Sequence, residues 1–179
     1  LYDVLNGIYV DVNIDTAAKT RECAALMEMI IKHDYPVNSI ITADRGYEKY
    51  NLMACCIENN QKFLIRTKDI NVYSSILSNL NLPDEEFDLN VTKILTRTQT
   101  NETKANKQKY TFISNKSEFN YFGTKEFYKM NLRVVRFKIT DDTYECLVTN
   151  LTRDEFDLTE LKKMYHMRWN IETAFKMLK

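Results

Sequence analysis

The order of apolar segments and turns predicts an α/β fold whose sheet has parallel pairing in part. Two short apolar runs, Ser39 to Ala43 and Gln61 to Thr67, have the length of buried strands. The segment between them, Lys49 to Asn59, has the character of a helix. Because a strand, helix, strand order joins neighbouring parallel strands, a layer of helices on a mixed sheet is expected.

The length and composition are those of one globular domain. The chain has 179 residues, of which 44% are hydrophobic and 28% charged. No apolar run reaches the roughly 18 residues of a membrane span, and the first residues do not form a signal peptide, so a cytoplasmic location without membrane contact is expected. The four cysteines contain no CxxC pair, which favours buried free thiols over structural zinc or disulfides.

The first 36 residues predict a hairpin followed by a helix. In Leu1 to Ile14, an Asn-Gly dipeptide suits a tight turn between two antiparallel strands. Asp15 or Thr16 is a candidate N-cap for a helix that continues to about Lys32. Pro36 then ends this unit.

A β-rich insertion is predicted between the two halves of the core. Threonine- and aromatic-rich segments indicate strands at Thr92 to Thr100, Lys109 to Ser114, Leu132 to Thr140 and Tyr144 to Leu151. The predicted organisation is a first part of the core at 1–68, an insertion at 69–131 and the remainder of the core at 132–179.

The charges are unevenly distributed although the formal net charge is zero. Between Lys93 and Lys138 there are eleven Lys and Arg against three Glu, a surplus of eight. Aromatic residues are interleaved with these charges, a pattern that suits a nucleic-acid backbone. A solvated face of a β-rich segment explains the same composition equally well.

The last segment predicts a long helix that carries a polar stripe. Asp157 or Thr159 is the candidate cap, and helical periodicity continues to the end of the chain. At about 100° per residue, one stripe roughly 60° wide holds four polar side chains. They are Tyr165, Arg168, Glu172 and Lys179. Apolar residues fill the neighbouring sector, so the stripe borders the buried face of the helix.

Asp44 is a candidate metal ligand because it ends an apolar strand, and ligands of open α/β sheets bind beyond the carboxyl ends of the strands. Taken alone, Asp44 fits a turn residue better, with Gly46 supplying backbone freedom. Likewise, Glu172 taken alone fits a surface ion pair with Arg168 on the same helix.

Together, these residues resemble a family pattern. Tyr165, Arg168, Glu172 and Lys179 match the Y-x2-R-x3-E-x6-K signature of insertion-sequence DDE transposases at all four positions. Upstream, the sequence from Ala43 to Tyr47 resembles the second-aspartate motif of this family, and Phe63 to Arg66 resembles the strand that follows it. The spacing of 128 positions from Asp44 to Glu172 leaves room for the β-rich insertion of such enzymes.

The resemblance implies a ribonuclease-H-like fold with an insertion before the last core helix. It implies that Asp44 and Glu172 bind Mg²⁺ or Mn²⁺ in a two-metal site, which stabilises the attacking and leaving oxygens at phosphorus. It also implies that Tyr165, Arg168 and Lys179 hold DNA phosphates near the cut. Water would first cleave the transposon end, and the freed 3′-hydroxyl would then attack another strand.

The resemblance also implies partners and a missing residue. The partners would be the transposon ends and target DNA, with a homodimer formed on the DNA of the bacterial nucleoid. The first catalytic aspartate of the family lies upstream of the predicted hairpin. A chain truncated at both ends, and without activity alone, is therefore expected.

Two other functions fit parts of the sequence. A catalytically inert nucleic-acid-binding fragment would keep the fold and the basic segment. An unrelated Mg-dependent α/β domain for phosphoryl transfer would explain Asp44 at a strand end, but not the four-residue stripe.

Overall fold

A computed structural model of the chain describes residues 1–14, 21–36, 38–124 and 126–177. Most strands form one sheet of six, in the order β3-β4-β8-β7-β5-β6. These strands are β3 (Ile40–Ala43), β4 (Lys62–Thr67), β5 (Phe87–Thr96), β6 (Tyr110–Phe112), β7 (Phe127–Thr140) and β8 (Thr143–Thr149). The β3–β4 and β5–β6 pairs are parallel and the others antiparallel, so the predicted mixed sheet is confirmed.

The remaining elements are a small hairpin and five helices in the described part of the chain. The hairpin joins β1 (Tyr2–Asp3) to β2 (Ile8–Tyr9), and the helices are α1 (Glu22–Lys32), α2 (Tyr50–Glu58), α3 (Asn101–Ala105), α4 (Leu158–Met167) and α5 (Trp169–Met177). The predicted caps Asp15 and Thr16 lie outside the described residues.

The hairpin forms where it was predicted, but its strands are shorter and its turn is different. Each strand has two residues, and the Gly7 amide donates to the Asp3 carbonyl across a four-residue loop. The Asp3 carboxylate accepts from the backbone amides of Leu5 and Asn6. Gly7 adopts a φ of +69°, where a side chain would be strained. The side chain of Asp3 therefore fixes the turn as much as the Asn-Gly pair does.

Alternating side chains of the sheet build a core on each of its faces. On one face, Phe63 and Ile65 of β4 pack with α1 and α2. Cys55 and Cys56 of α2 are fully buried free thiols, as expected. On the other face, Leu64 of β4 packs with α4. The period of two along a strand thus gives a sheet with helices on both sides.

The longest strand, β7, contains two buried arginines whose side chains lie on opposite faces of the sheet. Both side chains are about 3% exposed. Arg133 pairs with Asp88 of β5 and donates to the carbonyls of Thr152 and Phe156, in the loop before α4. Arg136 makes a two-pronged contact with Asp69, just after β4, at 2.8 and 2.9 Å.

Several cations of the basic segment between Lys93 and Lys138 are used inside the protein. Four of its eleven cationic side chains serve backbone carbonyls or buried ion pairs, namely Lys93, Arg97, Arg133 and Arg136. Burial lowers the pKa of Lys93 to about 8. Part of the charge surplus is therefore structural and does not form a phosphate-binding surface.

Replacing Asp69 tests the Arg136 contact. The hydrogen bond from Arg136 lowers the pKa of Asp69 to about 2, so the carboxylate stabilises the fold above about pH 4 and loses this effect as the pH falls towards 2. We expect Asp69→Asn to lower the free energy of unfolding by about 2 kcal/mol at pH 7, measured by chemical denaturation. The difference from the wild type should shrink below pH 4, and Asp142→Asn, in an exposed turn, should change little at any pH. A deficit that is the same at pH 7 and pH 3 would contradict this account.

Candidate active site

Asp44 lies at the edge of the sheet where β3 and β4 end together. It is exposed and caps the short 3₁₀ turn Arg45–Tyr47, accepting a hydrogen bond from the Arg45 amide. Ala43 pairs with Ile65 in parallel register, which puts Asp44 and Arg66 at the same edge. The sequence allowed two roles for Asp44, a turn residue or a ligand at a strand end. Both roles are compatible here, because the capping hydrogen bond uses one carboxylate oxygen and leaves the other.

The signature helix is interrupted, contrary to the prediction of one continuous helix. The helix α4 starts with an Asp157 and Glu160 capping box, as expected, and ends before Arg168. There the Arg168 amide donates to Tyr165 and the Ile171 amide to Arg168, both three residues back. A tighter turn of this kind separates α4 from α5.

The structure brings together three of the four residues of the stripe. Tyr165 is 3% exposed, and the Arg168 guanidinium lies 5.6 Å from the centre of its ring. Arg168 Nη2 lies 3.4 Å from Glu172 Oε1, and the Glu172 side chain is 44% exposed. Lys179 lies outside the described residues. Next to these residues on the same segment, His166 is exposed and Trp169 is 51% exposed.

Glu145, on β8, was missed by the sequence analysis. Its Oε2 lies 3.3 Å from Arg66 Nε, and its side chain is 12% exposed. Burial raises the pKa of Glu145, opposed by the charges of Arg66, Arg168 and Arg45. The signal was in the alternation of β8, because Glu145 takes the same side as the buried Leu147 and so faces inward.

Electrostatics links the strand-end aspartate to the signature helix. Burial raises the pKa of the Tyr165 hydroxyl, and the charges of Arg168, Asp44, Glu145 and Arg66 all act on it. Asp44 acts on Glu145 as well. Residues 121 positions apart in the sequence, Asp44 and Tyr165, thus belong to one electrostatic cluster.

Several hydrogen-bond donors of this cluster lack acceptors within the described chain. Three buried atoms have no hydrogen-bond partner there, namely Arg66 Nε, Arg168 Nε and Tyr165 Oη. Arg66 Nε does lie 3.3 Å from Glu145 Oε2, but this contact is too poorly aligned to be a hydrogen bond. Leaving a buried donor unpaired costs about 1 to 3 kcal/mol. Three such donors occur in this one cluster.

The same region contains a cavity, here called the α4 cavity, with a volume of about 740 Å³. It lies between α4 and the ends of β4, β7 and β8. Its charged and hydrogen-bonding side chains are Arg66, Lys138, Glu145, Lys162, Lys163, Tyr165, His166 and Trp169. Four cations against one carboxylate make this cavity electropositive.

The two candidate metal ligands predicted from the sequence are of a suitable chemical type. Asp44 and Glu172 are hard oxygen ligands of the kind that Mg²⁺ and Mn²⁺ prefer. Over the described ranges, no group of three His, Cys, Asp or Glu side chains is arranged to hold a metal ion.

Comparison with known families identifies the class of protein. The family model described as the transposase DDE domain matches residues 1–179, and the chain belongs to this family. Its mixed sheet with helices on both faces is the ribonuclease-H-like fold of such domains, as the resemblance implied. A comparison with curated proteins found no match. None of the described helices is both long and apolar enough to pass through a membrane.

The family assigns the general activity. DDE transposases act on DNA in transposition and generally use divalent metals. A nuclease and transposase activity, and DNA as a partner, therefore follow from the family.

Replacing Tyr165 separates a ligand-binding hydroxyl from a structural one. Because no acceptor within the described residues pairs with its hydroxyl, we expect Tyr165→Phe to leave the free energy of unfolding unchanged or to raise it by up to about 1 kcal/mol. Tyr128→Phe is the matched control, since the Tyr128 hydroxyl donates to Glu58 at 2.8 Å and its loss should destabilise the fold by about 1 kcal/mol. Chemical denaturation of both variants measures this. Equal losses of stability would show that the Tyr165 hydroxyl is structural.

Proposed function

We propose that this chain contributes Asp44 and Glu172, as metal ligands, to the metal-dependent DNA strand cleavage and strand transfer of a transposase. The observation that carries this proposal is the cluster that joins Asp44 to the signature helix, where buried donors of Arg66, Tyr165 and Arg168 have no acceptor among the described residues. A structural cluster would pair its donors internally. A phosphate-binding cluster leaves them for the ligand.

The carboxylates and the donors have separate roles in this proposal. Asp44 and Glu172 would hold Mg²⁺ or Mn²⁺, which supplies Lewis-acid activation of the oxygens at phosphorus. Arg168 lies between Glu172 and Tyr165, so it can hold a phosphate of the cleaved strand beside the metal ligands. Tyr165 and Lys179 would contact phosphates of the same strand, and their contacts fix the position of the DNA backbone.

The incomplete ligand set defines what else the site needs. A third carboxylate, the first aspartate of the family pattern, would complete the set, and we propose that a two-metal site forms with it. The DNA partners would be the transposon ends and the target, bound by a homodimer in the bacterial nucleoid.

The inert DNA-binding alternative makes a different prediction about the same residues. It requires only the donors and cations, so it gives Asp44 and Glu172 no function beyond a helix cap and an ion pair. Substituting these two carboxylates therefore distinguishes catalysis from binding.

A DNA-cleavage assay tests the proposed activity. It uses a transposase polypeptide that contains this chain together with the first aspartate of the family pattern. We expect it to cut DNA in Mg²⁺ or Mn²⁺, and Asp44→Asn or Glu172→Gln to slow cutting by at least about a hundredfold, because metal activation is worth several kcal/mol. Both variants should bind DNA and unfold like the wild type. The control Asp142→Asn, exposed in the β7–β8 turn, should cut normally. Full activity in both carboxylate variants would refute the proposed roles.

A further inference from the structure

The Glu145–Arg66 pair lies within the α4 cavity, where a carboxylate is the wrong charge for a phosphate site. Glu145 is the one acidic side chain that lines this cavity among the described residues. Its side chain is slightly more buried than that of Arg168, at 12% and 13% exposure. A charge with so little contact with water is expensive to keep unless it has a function or a good partner.

The partner of Glu145 is not a good one. The Arg66 Nε and Glu145 Oε2 atoms are 3.3 Å apart, longer than the roughly 2.7 to 2.9 Å of a strong charge-assisted hydrogen bond, and the alignment is poor. Elsewhere in this protein, buried arginines are paired well. Arg136 contacts Asp69 at 2.8 and 2.9 Å, and Arg133 contacts Asp88 at 2.7 and 2.9 Å. Arg66 is therefore loosely held by comparison.

The other charges around Glu145 come from three elements. Arg45 and Asp44 approach it from the end of β3, Arg66 from β4, and Arg168 from the junction of α4 and α5. Three cations against one further carboxylate hold Glu145 in an electropositive setting. Tyr165, which is 3% exposed, also lines the cavity, and its buried hydroxyl has no partner within the described chain.

We propose that Arg66 and Glu145 form a further phosphate subsite of the DNA-binding surface, in which the Glu145 carboxylate holds Arg66 until a DNA backbone phosphate replaces it. This inference rests on the proposed function, since it assumes that DNA enters the α4 cavity. A phosphodiester offers two acceptor oxygens to the planar guanidinium, a better match than the misaligned carboxylate. Glu145 is a positioning residue in this account, because it acts on the ligand through Arg66.

The exchange has a consequence for affinity. In the DNA-free protein, Glu145 partly neutralises the charge of Arg66, whose side chain is 24% exposed. In the complex, the same carboxylate lies close to a bound phosphate and repels it. Removing the charge of Glu145 should therefore strengthen DNA binding, whereas removing Arg66 should weaken it and delete one phosphate contact.

Binding of a fluorescent duplex oligonucleotide by this chain, measured over a series of salt concentrations, tests the proposal. We expect Glu145→Gln to bind at least about fivefold more tightly than the wild type at low salt. The control Glu28→Gln, which removes an exposed carboxylate on α1, should bind like the wild type. We expect Arg66→Gln to lower the slope of log affinity against log salt by about one unit, the signature of one lost phosphate contact.

Two further measurements keep the test decisive. Arg66→Lys retains the charge, so its salt slope should match that of the wild type even where its affinity falls. In the Arg66→Gln background, Glu145→Gln should gain less than it gains alone, because its effect passes through Arg66. Thermal unfolding of each variant verifies that the fold is retained.

The outcomes separate this inference from the proposed function. If the wild type binds DNA and Glu145→Gln does not exceed Glu28→Gln, or Arg66→Gln keeps the wild-type slope, the subsite is refuted, and the proposed metal-ligand roles of Asp44 and Glu172 stand. If the wild type shows no salt-dependent DNA binding, both are refuted.

Discussion

Two buried arginines on β7, Arg133 and Arg136, connect segments that lie far apart in the sequence. Arg133 connects β5 to the loop that leads into α4, and Arg136 connects the end of β4 to the loop before β5. Each charge is removed from water, and each is matched by a carboxylate and by backbone carbonyls, which is the condition for burying a charge without a large penalty. Because Arg133 fixes the start of α4, the position of the signature helix depends on a residue far from the chemistry.

The same sheet explains why the site forms at this edge. The parallel pair β3 and β4 brings Asp44 next to Arg66, and the antiparallel β8 adds Glu145 from the other side of β4. The helix α4 covers the same face through Leu161 and Tyr165. Residues from four separate segments thus meet where the strands end, which is where ligands of α/β sheets bind.

Much of the fold could be predicted from the sequence, since short apolar runs and helix caps are local signals. The strands β3 and β4 and the Asp157 cap formed as expected. The division into core and insertion at 69–131 stays a prediction, and β7 runs through its boundary as one strand. Regular helical geometry predicted one stripe, but the tighter turn at Arg168 interrupts the helix, and no local signal marked it.

The candidate site could be predicted only in part. Asp44, Tyr165, Arg168 and Glu172 were found because they match motifs, whereas Glu145 and Arg66 become a pair only through the β4–β8 register. Likewise, composition alone could not separate the buried cations of β7 from cations available to DNA. Long-range pairing decides both questions, and a single sequence does not display it.

Asp44 and Glu172 are proposed to share one metal site. The fluorescence of Trp169 tests this most directly. Trp169 is the single tryptophan of the chain, is half exposed and lies three residues before Glu172. Bound Mn²⁺ is paramagnetic and quenches the fluorescence of a nearby indole. We predict saturable quenching that Mg²⁺ reverses, and at least about tenfold weaker Mn²⁺ binding in both Asp44→Asn and Glu172→Gln. Quenching that neither substitution weakens, or that only Glu172→Gln weakens, would contradict a shared site.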